Sequence, residues 1–177
     1  MEQEPDEVLI EKSRAGDQAA FKTLVVQYEG KVAGVVRTLL GATPEAEDVG
    51  QEVFIRFYNA LHKFRGDASL STYLVKIAIN LALTELRKDR KLNARMTSLE
   101  DANQVQATED QMDLRQQLQY ELSRMEPEFK SVVTLRLVEG YTTEETASLL
   151  DIPVGTVLSR LARAQHKLRT ALSKKLK

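Results

Sequence analysis

Residues 142–169 read TTEETASLLDIPVGTVLSRLARAQHKLR, and their spacing decides how the chain is built. A short helix, about Thr143 to Leu150, carries small Ala147 and apolar Leu149 and Leu150. Asp151-Ile152-Pro153 makes a tight turn. A second helix, Pro153 to Leu172, lines up Val157, Leu161, Ala164 and Leu168 at the three-and-four spacing of one helix face. Ala147 leaves room for the second helix to cross close over the first. This is the pattern of a helix-turn-helix, whose second helix enters the major groove of DNA by its N-terminal end. The other face holds Thr156, Ser159, Arg160, Arg163 and Lys167. Arginine can fork onto guanine or phosphate, and hydroxyls bond to either. A basic stripe alone describes many solvated helices. Turn, small residue and charge polarity together point to DNA.

Upstream, Pro127 opens a helix carrying Phe129, Val132, Val133 and Leu137, which Gly140 ends, and Leu114, Leu118 and Leu122 mark another before it. From Asn93 to about Gln111 periodicity is lost and polar residues dominate, the pattern of a linker. The N-terminal half is again helical. One short helix covers Asp6 to Ala15. Asp17 caps a second, which runs to Leu40 with Phe21, Leu24, Val25, Tyr28, Val32, Val35, Val36 and Leu39 on its stripe. Gly41 stops it. Thr43-Pro44 opens a third, with Glu45 and Glu47 at the positive end of its dipole and Val49, Val53, Phe54, Phe57 and Leu61 as its buried face. After the loop Phe64-Arg65-Gly66-Asp67, a fourth runs from Ser71 to Leu92 with Leu74, Ile77, Ala78, Leu81 and Leu86 inward. The expected architecture is all-α: two small helical domains, residues 1–94 and 112–177, joined by a flexible linker, 95–111, with the helix-turn-helix in the second.

Composition narrows the function. The 177 residues hold 25 basic and 26 acidic side chains, yet the near-neutral total hides an asymmetry. Residues 96–125 carry a net charge of −4, and the last 24 residues carry seven Lys or Arg and no acid, as a nucleic-acid partner for that end would require. With no cysteine, a disulfide scaffold, a thiolate metal site and a cysteine nucleophile are excluded. His62 and His166 are the only imidazoles. No nucleophile–base pair, metal cluster or phosphate-cradling glycine loop is legible, so a non-enzyme without cofactor or metal is expected. No apolar run approaches the roughly 18 residues of a membrane span. The opening, MEQEPDEVLI, is acidic rather than basic-then-apolar, so a cytoplasmic protein without membrane insertion is expected.

Two further faces of the N-terminal half bear on function. The fourth helix presents Lys76, Asn80, Thr84, Arg87, Lys88 and Lys91 as a polar, mostly cationic stripe, preceded by FRGDASLSTYL between Phe64 and Tyr73. Cations beside a polar loop and aromatic rings suit unpaired DNA, whose backbone needs charge and whose extruded base needs a ring or an amide. Core aromatics and a solvated stripe would give the same pattern. On the third helix Asp48, Gln51, Glu52 and Ile55 point away from the buried face, which fits either a docking surface for a basic protein or ordinary solvation.

Taken together these segments resemble the extracytoplasmic-function sigma factors, a minimal group of bacterial transcription initiation factors. LIEKSRAGDQAAFKTLVVQY is similar to that family's opening, and AEDVGQEVFIRFYNAL to its polymerase-binding helix. FRGDASLSTYLVKIAINLAL is similar to its promoter-melting helix, and SRMEPEFKSVVTLRLVEGYTTEETASLLDIPVGTVLSRLARAQHKLR to its helix-turn-helix domain. The resemblance implies that the chain binds core RNA polymerase and promoter DNA, and that an anti-sigma factor holds it inactive. By the same resemblance Asp48, Gln51, Glu52 and Ile55 grip the polymerase. Phe64, Arg65, Asp67, Ser69, Tyr73, Lys76, Asn80 and Arg87 melt the minus-ten element and capture a flipped base. Thr156, Ser159, Arg160, Arg163 and Lys167 read the minus-thirty-five element, and the acidic linker threads the polymerase's RNA exit path. The chain departs from the family where Tyr73 stands for Trp, Ile79 for Arg, Leu158 for a basic residue, Glu126 for Leu, Gly50 for Val and Thr146 for Ile. The rival readings are a stand-alone helix-turn-helix regulator, which would pair half-sites through a dimer helix not legible here, and a sigma mimic that sequesters an anti-sigma factor, which would lack the DNA-facing cations.

Overall fold

A computed structural model describes residues 4–97 and 114–173, the side chains of 93–97 and 114–115 excepted. Among the described residues every regular element is helical. In chain order they are α1 (Asp6–Arg14), α2 (Gln18–Leu40), α3 (Pro44–Ala60), a single 3₁₀ turn (Leu61–Lys63), α4 (Leu70–Thr97), α5 (Leu114–Arg124), α6 (Pro127–Val133), a π-helical turn (Thr134–Val138), α7 (Thr143–Leu150) and α8 (Val154–Ser173). The chain divides into two compact units, Met1–Ala82 and Leu83–Lys177, so the division runs through α4. That helix continues to Thr97, past the expected end at Leu92. The remainder of the expected linker lies outside the described residues.

The first unit is set by its caps. The Asp17 carboxylate accepts the N–H groups of Ala19 at 2.9 Å and Ala20 at 3.1 Å and starts α2. Thr43 accepts the Ala46 N–H at 3.3 Å, with Pro44 in the first turn where no N–H is needed. Helix α1 straps onto α2 through Tyr28, whose hydroxyl donates to Asp6 at 2.5 Å. The core then closes on Leu24, Val32, Val35, Val36 and Leu39 of α2 and on Val49, Val53 and Phe57 of α3, all buried. From α4 it takes Leu74, Val75, Ala78, Ile79 and Ala82. This turns α4 slightly from the expected face: Ile77, Leu81 and Leu86 are half-buried, while Ile79 and Val75 are fully inside. Phe54, expected inside, is also half-buried.

In the second unit α5, α6 and α7 all pack against α8. Residues 130 to 135 are buried without a break, the mark of a helix surrounded on all sides. One cluster joins Met125, Val133 and Ala164 with Leu122, Phe129, Leu161 and Leu168, and a second joins Val132, Ala147 and Val157 with Leu150, Ile152 and Leu161. Leu161 packs into both. The π turn after α6, closed by Glu139 N–H to Thr134 C=O at 2.9 Å, shifts the register and leaves Leu137 and Val138 exposed, where a straight helix would have kept Leu137 inward. Thr142 and Glu145 cap α7 reciprocally at 3.1 and 2.8 Å. The tight turn is real: Asp151 takes a left-handed conformation, φ 51°, which its short side chain tolerates, and Ile152 N–H reaches back to Ala147 C=O at 3.1 Å.

Two positions are suboptimal by this physics. Thr146 is fully buried and its hydroxyl finds no hydrogen-bond partner. Thr146→Val keeps the shape and removes the unsatisfied group, so it should stabilise the chain by about 1 kcal/mol. Gly50 sits inside α3, and a Cβ there would meet nothing within 4 Å. Gly50→Ala should add about 0.5–1 kcal/mol. Urea unfolding of the full chain measures both; a lowered midpoint in either variant would contradict the assignment.

Candidate nucleic-acid interface

Three surfaces carry the residues singled out in the sequence. The first is the outer face of α3. Asp48 and Gln51 are exposed, Ile55 is 54% exposed, and Glu52 pairs with Arg56 one turn on at 2.8 Å. All four expected residues therefore share the face opposite Val49, Val53 and Phe57. Gln51 also borders a groove of about 290 Å³ between α2 and α3, whose apolar wall includes Val25, Val32 and Phe54. Phe54 belongs to this surface, which its apolar character concealed in the sequence.

The second surface is the loop between the 3₁₀ turn and α4. Its start is fixed by rings: Phe64 meets Tyr73 edge-on at 4.9 Å between centroids and Phe57 at 6.0 Å, and Phe57 meets Tyr73 at 6.1 Å. Gly66 takes φ 77°, a left-handed conformation that a side chain would resist. Residues 65 to 69 are all exposed, so Arg65, Asp67 and Ser69 project from an anchored base. Ser69 has a structural task as well. Its hydroxyl accepts the Thr72 N–H at 3.2 Å and lies 2.9 Å from the Thr72 hydroxyl, which starts α4. Along α4, Lys76 is half-buried and Asn80 is exposed; Arg87 belongs to the second unit, where it is exposed and pairs with Glu128 at 3.8 Å. Phe64 and Tyr73 are each half-buried, so the rings serve the core and border the loop at once.

The third surface is α8. Thr156 and Arg160 are half-buried, while Ser159 and Arg163 are exposed. Ser159 donates to the Thr156 carbonyl at 3.1 Å. Leu158 stands out at 54% exposure at the start of the same helix. Lys167 sits apart from these in its bonding. Its ammonium binds both carboxylate oxygens of Glu126, at 2.8 and 2.9 Å, and lies 4.8 Å from the centre of the Phe129 ring. In this structure it fastens α8 to the start of α6. Among the described residues no three His, Asp or Glu are grouped to hold a metal ion, and no helix is long and apolar enough to cross a membrane.

Comparison with known proteins shows what the two halves of the chain are similar to. The sigma-70 region 2 family matches residues 24–92 and the sigma-70 region 4 family matches residues 115–168. The chain is 36% identical over 178 residues to the ECF RNA polymerase sigma-E factor of Escherichia coli K12, covering 93% of each chain. To the RNA polymerase sigma-H factor of Pseudomonas aeruginosa it is 34% identical over 184 residues, covering 96% of this chain and 95% of the relative. Among solved structures it is similar in fold to CnrH in complex with the cytosolic domain of CnrY, with a TM-score of 0.67 and 24% identity over 96% of this chain and 98% of that one. It is also similar to the sigma factor RpoE in complex with the anti-sigma factor NepR from Bartonella quintana, with a TM-score of 0.64 and 20% identity over 88% and 98%.

The Glu126–Lys167 pair generates a pH dependence. The Lys167 hydrogen bond, followed by the backbone N–H of Glu126 itself, holds the Glu126 carboxyl below the usual carboxylate range. A carboxyl whose folded pKa is depressed stabilises the fold above its unfolded pKa, and that contribution disappears as pH falls through the folded value. Both side chains are about half exposed, so the effect is at most about 1 kcal/mol. Thermal melts across the acid range should show Glu126→Gln losing less stability than the parent; parallel curves would remove the pair from the account.

Proposed function

The chain belongs to the sigma-70 family as an extracytoplasmic-function sigma factor, and from that premise we propose how its residues divide the work of opening a promoter. It is an alternative sigma factor that directs bacterial RNA polymerase in transcription initiation. Residues 1–94 form the domain that binds polymerase and melts DNA, residues 112–177 the domain that reads the upstream element, and 95–111 the acidic linker between them. Asp48, Gln51, Glu52 and Ile55 dock onto the polymerase. Burial behind them leaves their face of α3 unpacked within the first unit, which supports that role.

The loop from Phe64 to Ser69, with Tyr73, Lys76, Asn80 and Arg87, holds the separated minus-ten strand. Unstacking a base costs a few kcal/mol. A surface that binds the unpaired strand and not the duplex shifts the equilibrium to the open form by its differential affinity. The observation that carries this reading is an exposed loop, residues 65–69, whose base is fixed by three aromatic rings and whose end caps the helix that displays Asn80. On α8, Thr156, Ser159, Arg160 and Arg163 read the minus-thirty-five element. Lys167 joins them only by leaving Glu126. Leu158 offers an apolar contact where a cation would bind phosphate, which favours a thymine methyl at that step.

The protein works in the cytoplasm and has no active site of its own; the polymerase supplies the chemistry. The similar solved structure of a sigma factor bound to the anti-sigma factor NepR supports a regulator of that kind for this chain as well.

Run-off transcription with purified bacterial core polymerase is the decisive assay. Specific transcripts should depend on the added chain, and a failure to associate with core, or to open any template, would overturn the reading. Arg160→Ala should cost about 1–3 kcal/mol of affinity for promoters that need the upstream element; unchanged activity across several promoters counts against the assigned groove. Asn80→Ala should alter minus-ten base preference in the same assay, and an identical preference profile would remove Asn80 from the pocket.

A further inference from the structure

Arg14, the last residue of α1, lies outside the residues matched to sigma-70 region 2. Its side chain is only 25% exposed, and its guanidinium reaches across the first unit. Nε donates to the Leu61 carbonyl at 3.0 Å, Nη2 donates to the Phe64 carbonyl, and Nη1 pairs with Glu11. Leu61 and Phe64 bracket the 3₁₀ turn that delivers the chain into the exposed loop. Carbonyls at the end of a helix lack intrahelical partners, and a cation is favoured there. The planar fork of arginine is built to hold two of them at once.

Phe64 is thereby fixed from every side. Its N–H bonds back to the Ala60 carbonyl at 3.1 Å and the Leu61 carbonyl at 3.4 Å, its carbonyl is held by Arg14, and its ring is held by Phe57 and Tyr73. At the far end Ser69 is fixed as the cap of α4. Residues 65 to 68 form an exposed arch between these two anchors. One anchor depends on a side chain 50 positions earlier in the sequence.

We infer that Arg14 is a positioning residue for promoter melting: through the Phe64 carbonyl it sets the loop that captures the unpaired minus-ten base, without touching DNA itself. This rests on the reading of that loop given above. The test uses full-length chain bound to bacterial core polymerase. It measures affinity for a single-stranded minus-ten oligonucleotide and for its single-base variants by fluorescence anisotropy. Arg14→Gln, Arg14→Lys and the loop variant Asp67→Ala are compared at a temperature where circular dichroism shows each folded. Arg14→Gln should reduce discrimination between the preferred and substituted base by about tenfold, with affinity for core changed by less than about twofold. Arg14→Lys, which keeps the charge but can satisfy one carbonyl only, should recover part of it. A purely structural role would lower the melting temperature and leave the preference profile intact. An unchanged profile in Arg14→Gln, with an altered one in Asp67→Ala, overturns the inference and leaves the loop reading standing. Unchanged profiles in both overturn the two together. If Arg14→Gln does not fold, Arg14→Lys carries the same comparison.

Discussion

The first unit is organised around one ring. Phe57 is 1% exposed, and its neighbours are Phe21 of α2 at 5.9 Å, Phe64 of the loop at 6.0 Å and Tyr73 of α4 at 6.1 Å. A single residue of α3 thus spaces two other helices and the start of the exposed loop. A buried Phe truncated to Ala typically costs about 3–5 kcal/mol, and here the damage would spread to every surface the ring spaces. The same helix turns Asp48, Gln51, Glu52 and Ile55 outward. The face proposed to dock and the loop proposed to capture a base therefore share one foundation in Phe57.

The second unit meets a different constraint. For the role proposed for it, helix α8 has to be held firmly while one of its faces stays available. Leu161 achieves the first by packing into both apolar clusters, with Val157 and Ala164 fully buried on either side of it. Lys167 adds a latch at the other end of the helix through Glu126 and the Phe129 ring. The cationic stripe is consequently not uniform. Its N-terminal part, Arg160 and Arg163, stays outside this latch, and its C-terminal part is spent on packing. Charge counting alone could not separate the two, because spacing places a residue on a face without saying what lies opposite it.

Much of the fold is written in local chemistry, and for that reason it is legible. Asp17, Thr43-Pro44, Gly41 and Gly140 act within a turn of themselves, and the structure puts helix ends at each. The helix-turn-helix reads clearly because Ala147, Asp151 and Val157 have few other arrangements open to them. What escapes is what depends on distant partners. Ile79 is buried where the sequence pointed to Ile77 and Leu81, since the choice is made by packing against helices far along the chain. Lys130 is buried at 5% exposure, and burial, then Arg90, lowers its pKa, a placement no charge pattern announces. The π turn depends on backbone bonds that span five residues and that sequence periodicity averages away. Arg14 likewise finds its carbonyl partners 47 and 50 positions on, beyond the reach of any local pattern.

These gaps bear on the proposed mechanism, in which affinity for separated strands depends on order already present in the loop. Fixing one residue's backbone costs about 1–2 kcal/mol of conformational entropy, so a slack loop ordered only on contact with DNA would forfeit several kcal/mol of binding. That is comparable to the cost of extruding a base. A loop fixed at Phe64 by rings and a guanidinium, and at Ser69 by a helix cap, has met most of that cost when the protein folds. The helix proposed to read duplex needs no such device, because its backbone is ordered by the helix itself and contacts to phosphates, which salt weakens, would supply much of its affinity. On the proposed reading, folding stability in the first unit is converted into preference for open DNA, and the residues that hold the loop belong to the melting function as much as those that would touch a base.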